Sequence, residues 1–335
     1  MPNSLIPTCY FPSTALFIDD SRDFLLNFVL QLDEWLAYRV FDSPFDALDY
    51  IHKKHNDLAT IKRRCISRFT ELSECTLSQK LNTLIHSEIY NPKRFNEISV
   101  VVVDYEMSDM NGIQFCQAIK HTPIKKILLV GKADEHAAIN AFKAGLIDGY
   151  IYKSDPNIAD LITYRIKHLQ WQYFQDMSKS IYQELRLNAP TCLQDSGFIS
   201  FFKKLCQEKD IVEFYLADDT GSFLLLDHDA QISFLILKSE ADRIFYLEVA
   251  RNHGVSEELI KLLTKGEMIP YRSLPKDKKN QDWLTNLLPA NQLISDNRYW
   301  YSYSKEPLLL NIKKEQLLSY YQHLEEIDAE ELLLL

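Results

Sequence analysis

The sequence predicts an α/β fold: a five-stranded parallel, doubly wound domain with a helical insertion, then a long helix, then an α+β domain with an antiparallel sheet. Three observations predict it. In the first half, apolar strand-like runs alternate with amphipathic helical patterns. One of those runs, Val100–Asp104, is apolar at every position but its last, as a strand covered on both faces must be. In the second half three strand-like runs follow one another with only turns between them.

Taken in order, TALFID (14–19) is a first strand ending in Asp19, with a second acid, Asp20, directly after it, and SRDFLLNFVLQL (21–32) is a helix with Ser21 at its cap position. AYRVFD (37–42) is a second strand, and SPFDALDYIHKKH (43–55) a helix opened by Ser43 and Pro44. Val100–Asp104, KILLVG (126–131) and GYIYKS (149–154) are strands three to five. GIQFCQAIKH and DEHAAINAFKAG are the helices between them, the second closed by Gly145. Ligands of such a sheet bind beyond the carboxyl ends of its strands, where the acidic residues stand.

About forty residues, within 55–96, separate the second helix from the third strand where a few would suffice. They contain no glycine and predict one or two inserted helices ended by Asn91 and Pro92. A helix starting near Asp155 continues its apolar pattern through Ile162, Ile166, Leu169 and Phe174 to about Leu187, leading to the linker NAPTCLQDSG. IVEFYLAD, SFLLLD and ISFLILKS then predict a meander, followed by helices over 240–252 and 256–265 and an aromatic strand, NRYWYSYSK. The expected organisation is a first domain over 1–156, a linking helix and linker over 157–190, an α+β output domain over 191–320, and an acidic, leucine-rich tail over 321–335.

Composition excludes several classes. In 335 residues no run of eighteen apolar residues occurs, so no membrane partner or spanning helix is expected. The N-terminus lacks a charged region followed by an apolar stretch, and the six cysteines show no CxxC pair. Both features point to the cytoplasm and away from disulfides or a zinc site. The net charge of −10 disfavours indiscriminate nucleic-acid binding, although residues 51–96 hold nine Lys or Arg against four Asp or Glu. That excess is a solvated helical face or a partner-docking patch.

The chemistry gathers at strand ends. Asp19 and Asp20 close the first strand and Asp104 the third, neighbours at the centre of a doubly wound sheet. Three converging carboxylates repel and raise one another's pKa, which a hard divalent cation such as Mg²⁺ relieves. Lys153 closes the fifth strand and brings an ammonium to the same place. A carboxylate between a cation and an ammonium is set up to attack phosphorus and hold phosphoryl oxygens.

FIDDSRDFLL, VVVDYEMSDMNG, LLVGKADEHAAINAFKAG and GYIYKSD together resemble the CheY-like receiver domain of two-component response regulators, over about Leu16 to Asp155. The resemblance implies that Asp104 accepts a phosphoryl group from a sensor histidine kinase or phosphotransfer protein. It implies that Asp20, Asp104 and the main-chain carbonyl of Glu106 ligate Mg²⁺, with Asp19 acting through water, and that Lys153 pairs with the phosphoryl oxygens. Tyr150 falls at the family's switch aromatic.

Three positions depart from the pattern. Val130 stands where the family has a Ser or Thr hydroxyl, which puts the usual switching motion in doubt. Ser108 stands where proline is common, four residues after the acceptor, and Lys153-Ser154 replaces Lys-Pro. The layout is similar to that of the Legionella quorum-sensing response regulator group. That similarity implies a homodimer linked to phosphorylation and an output resembling nucleotide- or nucleic-acid-binding folds.

The second half shows no helix-turn-helix, no phosphate loop and no catalytic constellation, so an enzymatic output is not expected. Asp218-Asp219-Thr220-Gly221 is read as a hairpin turn, and Asp227-His228-Asp229 as a turn with a metal-ligand alternative. Tyr299, Trp300, Tyr301 and Tyr303 read as half-buried core, with a base-stacking or peptide-binding platform as the alternative. The basic 51–96 segment, Lys276–Lys279 and the aromatic strand together carry the alternative of a phosphorylation-gated nucleic-acid or nucleotide binder. The leading expectation is a switch whose output dimerises or binds a protein partner.

Overall fold

The computed structural model describes residues 5–57, 60–271, 283–305 and 310–332. In chain order its elements are β1 (Cys9–Tyr10), β2 (Thr14–Ile18), α1 (Arg22–Val29), β3 (Tyr38–Phe41), α2 (Pro44–Asp57), α3 (Ile61–Glu71), α4 (Leu77–Ile89), β4 (Ile98–Asp104), α5 (Gly112–Ala118), β5 (Lys125–Val130), α6 (Glu135–Lys143), β6 (Gly149–Tyr152) and α7 (Ile158–Glu184). There follow α8 (Ser196–Glu208), β7 (Ile211–Leu216), β8 (Phe223–Asp227), β9 (Ile232–Ser239), α9 (Glu240–Asn252), α10 (Glu257–Lys265), β10 (Met268–Pro270), β11 (Leu287–Pro289), β12 (Asn291–Ile294), β13 (Arg298–Ser304) and α11 (Tyr320–Leu332). None of the described helices is long and apolar enough to cross a membrane.

The chain folds into two compact units, each assembled from separated segments. One comprises Phe11–Ser67, Asn91–Glu184 and Tyr320–Leu335; the other comprises Met1–Tyr10, Arg68–Tyr90 and Leu185–Ser319.

The first unit is built on a parallel sheet of order β3-β2-β4-β5-β6, the doubly wound arrangement expected. Strand β4 shows why its sequence lacks alternation. Val101 and Val103 enter one apolar cluster with Phe115, Leu128 and Val130, while Val100 and Val102 enter the other with Phe17, Ile127 and Ile162. Both faces are covered, and full burial of each such side chain contributes about 1.5–3 kcal/mol. The amino-terminal half of α7 covers one face through Ile162, Ile166 and Leu169. Residues 321–332, expected as part of a tail, belong to α11, whose first residue, Tyr320, donates its hydroxyl to the Trp35 carbonyl (2.7 Å) and accepts from the Ala37 N–H (3.0 Å).

The second unit carries a six-stranded antiparallel sheet, β1-β7-β8-β9-β13-β12, and a separate pair, β10-β11. The meander and the aromatic strand fall where expected, whereas β1 and β12 border the sheet without a sequence signal. Helix α8, absent from the sequence reading, buries Phe198 and Phe202; the Phe202 ring meets Phe214 and Phe223 at 5.0 and 4.5 Å. The insertion contributes α4, started by a reciprocal Thr76–Gln79 cap. Ser78 Oγ there donates to Asp219 Oδ1 (3.1 Å), and the Tyr90 hydroxyl accepts from the Lys313 N–H (2.7 Å).

Candidate active site

Strand register assembles the site. Ile18 pairs with Val103, so the residues that follow each, Asp19 and Asp104, leave adjacent strand ends side by side. Asp104 in turn pairs with Leu129, and Val130 with Tyr152, which puts Lys153 just beyond the next strand but one. The Lys153 N–H donates to the Val130 carbonyl (3.0 Å) and fixes where that side chain departs.

Asp19, Asp20 and Asp104 each offer a carboxylate oxygen within 4.8 Å of the others. Asp19 is 1% exposed and Asp104 4%, whereas Asp20 is open to solvent. Lys153 Nζ lies 2.7 Å from Asp19 Oδ2 and 2.9 Å from Asp104 Oδ2. Burial is the largest influence on the Asp104 carboxyl and lifts its pKa to about 6, against the pull of Lys153. Burial also opposes the charge of Lys153, yet its bonds to Asp19 and Asp104 prevail and hold the ammonium above its ordinary range.

Backbone donors orient the acids. Ser21 N–H donates to Asp19 Oδ1 (2.9 Å) and Ser108 N–H to Asp20 Oδ2 (2.7 Å). Gly112, the first residue of α5, allows close approach: a Cβ there would lie 2.3 Å from the Asp104 carbonyl oxygen and 2.6 Å from Leu128 Cδ1. The Phe24 ring centroid stands 4.7 Å from Lys153 Nζ. Sequence reasoning missed the contacts of Ser108 and Phe24. The turn-forming Asn111-Gly112 pair was the one visible signal for the glycine.

The remaining site candidates are placed differently. Glu106 is exposed on the β4–α5 loop. Val130 is wholly buried at the end of β5, in the cluster with Phe115 and Leu128. Tyr150 is half-buried, edge-on to Tyr152 at 6.0 Å. The described residues contain no cis peptide, so Lys153–Ser154 is trans. A separate recess lined by Lys54, Arg64, Asn96, Glu97 and Tyr173 lies by the residues that precede β4 and β5, at the opposite ends of those strands from the acids.

The donor set fits a hard divalent cation. It consists only of carboxylate oxygens, and Asp19 Oδ2 is buried with no hydrogen bond of good geometry, although the Lys153 ammonium is within ion-pair distance.

No family model matches the chain, and no curated protein matches it. Among solved structures, the response regulator LqsR of Legionella pneumophila is 51% identical over 97% of this chain and 97% of its own, with a TM-score of 0.84. The chain belongs to the LqsR family of response regulators. A response regulator receiver domain protein from Clostridium thermocellum covers 47% of this regulator and 98% of itself at 24% identity, with a TM-score of 0.29. An adenylate cyclase from Rhodopirellula baltica covers 51% of the regulator and 97% of itself at 18% identity and a TM-score of 0.34. Those two scores are too low to bear on this regulator.

In the antiparallel unit of the regulator the remaining candidates are tied into the fold. Asp218 Oδ1 accepts from Thr220 and Ser222 N–H, and Asp227 Oδ1 from Asp229 and Gln231 N–H, both as turns. Tyr299 and Trp300 are buried within the sheet, and Tyr301 packs on Phe201 at 4.5 Å. Lys276–Lys279 lie outside the described residues.

Proposed function

We propose that this regulator is a phosphorylation-driven switch in which Asp104 takes a phosphoryl group from a sensor histidine kinase or a phosphotransfer protein. An Asp104 oxygen attacks the phosphorus of the donor's phosphohistidine, a P–O bond forms as the P–N bond breaks, and the imidazole leaves. The observation that carries this reading is the meeting of Asp104 with Asp19, Asp20 and the Lys153 ammonium at the carboxyl end of the parallel sheet.

Each side chain then has a task. Asp19, Asp20 and Asp104, with the main-chain carbonyl of Glu106, would hold Mg²⁺. The bound ion supplies charge stabilisation to the transferring phosphoryl oxygens. Lys153 neutralises the charge developing on the opposite side and keeps the Asp104 carboxylate oriented. Val130 brings no hydroxyl to the phosphoryl group, so the loop after β5 is not drawn in by that bond. Tyr150 and its neighbour Tyr152 would carry the change along β6. The output unit would respond by self-association or by docking a protein partner, which needs a bias of only ~1–3 kcal/mol. The similarity to LqsR and the absence of membrane-spanning helices among the described residues support a cytoplasmic regulator. The base-stacking alternative loses two of its four rings, since Tyr299 and Trp300 are enclosed in the sheet.

The test is incubation of wild type and Asp104→Asn with Mg²⁺ and acetyl phosphate, followed by intact mass and sedimentation. Wild type should gain the mass of one phosphoryl group and change its association state, and Asp104→Asn should do neither. Equal uptake by both proteins would overturn the assignment.

A further inference from the structure

Resting on the reading of Asp104 as phosphoacceptor, we infer that Phe24 is a positioning residue that holds the Lys153 ammonium over the acidic site when a divalent cation takes its carboxylate partners. Lys153 Nζ pairs with Asp19 Oδ2 and Asp104 Oδ2, at 2.7 and 2.9 Å. Those same carboxylates belong to the set that would hold the ion, Asp104 directly and Asp19 through water. A dication bound there competes for both oxygens and repels the ammonium, so Lys153 needs a partner the metal does not contest.

The Phe24 ring is that partner. Its centroid is 4.7 Å from Nζ, inside the distance at which a cation is attracted to a ring face. The ring is itself held: Phe24 and Phe28 stack at 5.4 Å with planes 9° apart, and Phe28 is buried against Phe17 at 5.5 Å. The Phe24 N–H is capped by Ser21 Oγ (3.3 Å), and Ser21 N–H binds Asp19 Oδ1. One short segment therefore supplies both an acidic ligand and the aromatic face for the cation. An ammonium retained this way is in place to meet the incoming phosphoryl oxygens without a search.

Phe24→Leu keeps apolar volume and removes the ring; Phe24→Tyr keeps the ring. Uptake of phosphate from acetyl phosphate at saturating Mg²⁺ should fall about fivefold in Phe24→Leu and return to near wild type in Phe24→Tyr, in line with the strength of such contacts. Phe24→Leu should bind Mg²⁺ no more weakly than wild type or Phe24→Tyr, since the ammonium it releases repels the ion. Independently of uptake, the Lys153 Hε protons should show an upfield ring-current NMR shift in wild type and Phe24→Tyr, with and without Mg²⁺, and lose it in Phe24→Leu. Undiminished uptake by Phe24→Leu, or loss of the ring-current shift when Mg²⁺ is added to wild type, overturns the positioning role alone. Absence of uptake by wild type overturns the phosphoacceptor reading and the positioning role with it, whatever the shift shows.

Discussion

The backbone N–H of Ser108 donates to Asp20 Oδ2 over 2.7 Å, joining the β4–α5 loop to the acid that follows β2. Proline, common at this position among receivers, has no N–H to give. The residue that looked like a departure from the family pattern thus brings a bond of its own.

Ser108→Pro should weaken Mg²⁺ binding about tenfold, because Asp20 loses a hydrogen bond to a charged acceptor worth ~1.5 kcal/mol. Ser108→Ala keeps the N–H and should bind as wild type. Isothermal titration with Mg²⁺ checks both, and equal affinities for all three proteins would refute the role given to this bond.

Gly112→Ala should destabilise the parallel unit by about 1–3 kcal/mol, since the new methyl collides with the Asp104 carbonyl oxygen and with Leu128. Part of the relief must come from moving the backbone of Asp104, so phosphoryl uptake should fall as well. Urea unfolding and acetyl phosphate labelling read the two effects; a variant as stable and as active as wild type would show that α5 adjusts freely.

Val130→Thr introduces a hydroxyl at a position 0% exposed, at a cost of about 1–3 kcal/mol without a hydrogen-bond partner. Beryllofluoride with Mg²⁺ supplies an acceptor next to it. The deficit in thermal midpoint relative to wild type should therefore shrink once beryllofluoride is bound. A deficit that stays constant would place this side chain out of reach of the phosphoryl group.

Asp195→Ala should cost the antiparallel unit about 3 kcal/mol, because this carboxylate, only 5% exposed, caps α8 and binds Ser295, Asn297 and the Tyr299 hydroxyl. Burial would raise its pKa, but the bonds from Ser295, Phe198 N–H and Asn297 prevail and hold it below the usual range. A depressed folded-state pKa contributes stability above the unfolded value of ~3.9 that fades as pH falls through the lower folded value. The gap between wild type and Asp195→Ala in denaturant midpoint should be full at neutral pH and narrow below about pH 4. A gap independent of pH would mean that the charge is not what stabilises.

The central strands and the acidic site were legible because each leaves a local mark. An unbroken valine run bounded by turn signals marks a strand covered on both sides, Asp104 is the last residue of that strand, and Asp19 and Lys153 stand immediately after two other strands of the same sheet. Helix α8 was passed over because its apolar residues follow a stretch rich in turn formers. Helix α11 was passed over because its leucine- and glutamate-rich end hides Tyr320, His323 and Ile327, which face inward.

By itself the sequence determined the five parallel strands, the meander and the side chains that stand at the ends of the parallel strands, since periodicity and strand-end chemistry are written in neighbouring residues. Only the tertiary structure decided that Arg68–Tyr90 is gathered into the unit of the antiparallel sheet, that Phe24 covers the Lys153 ammonium and that Ser108 orients Asp20. A residue's local pattern shows whether it wants burial or water. It does not show which distant residue meets it, because that depends on how every other buried face packs.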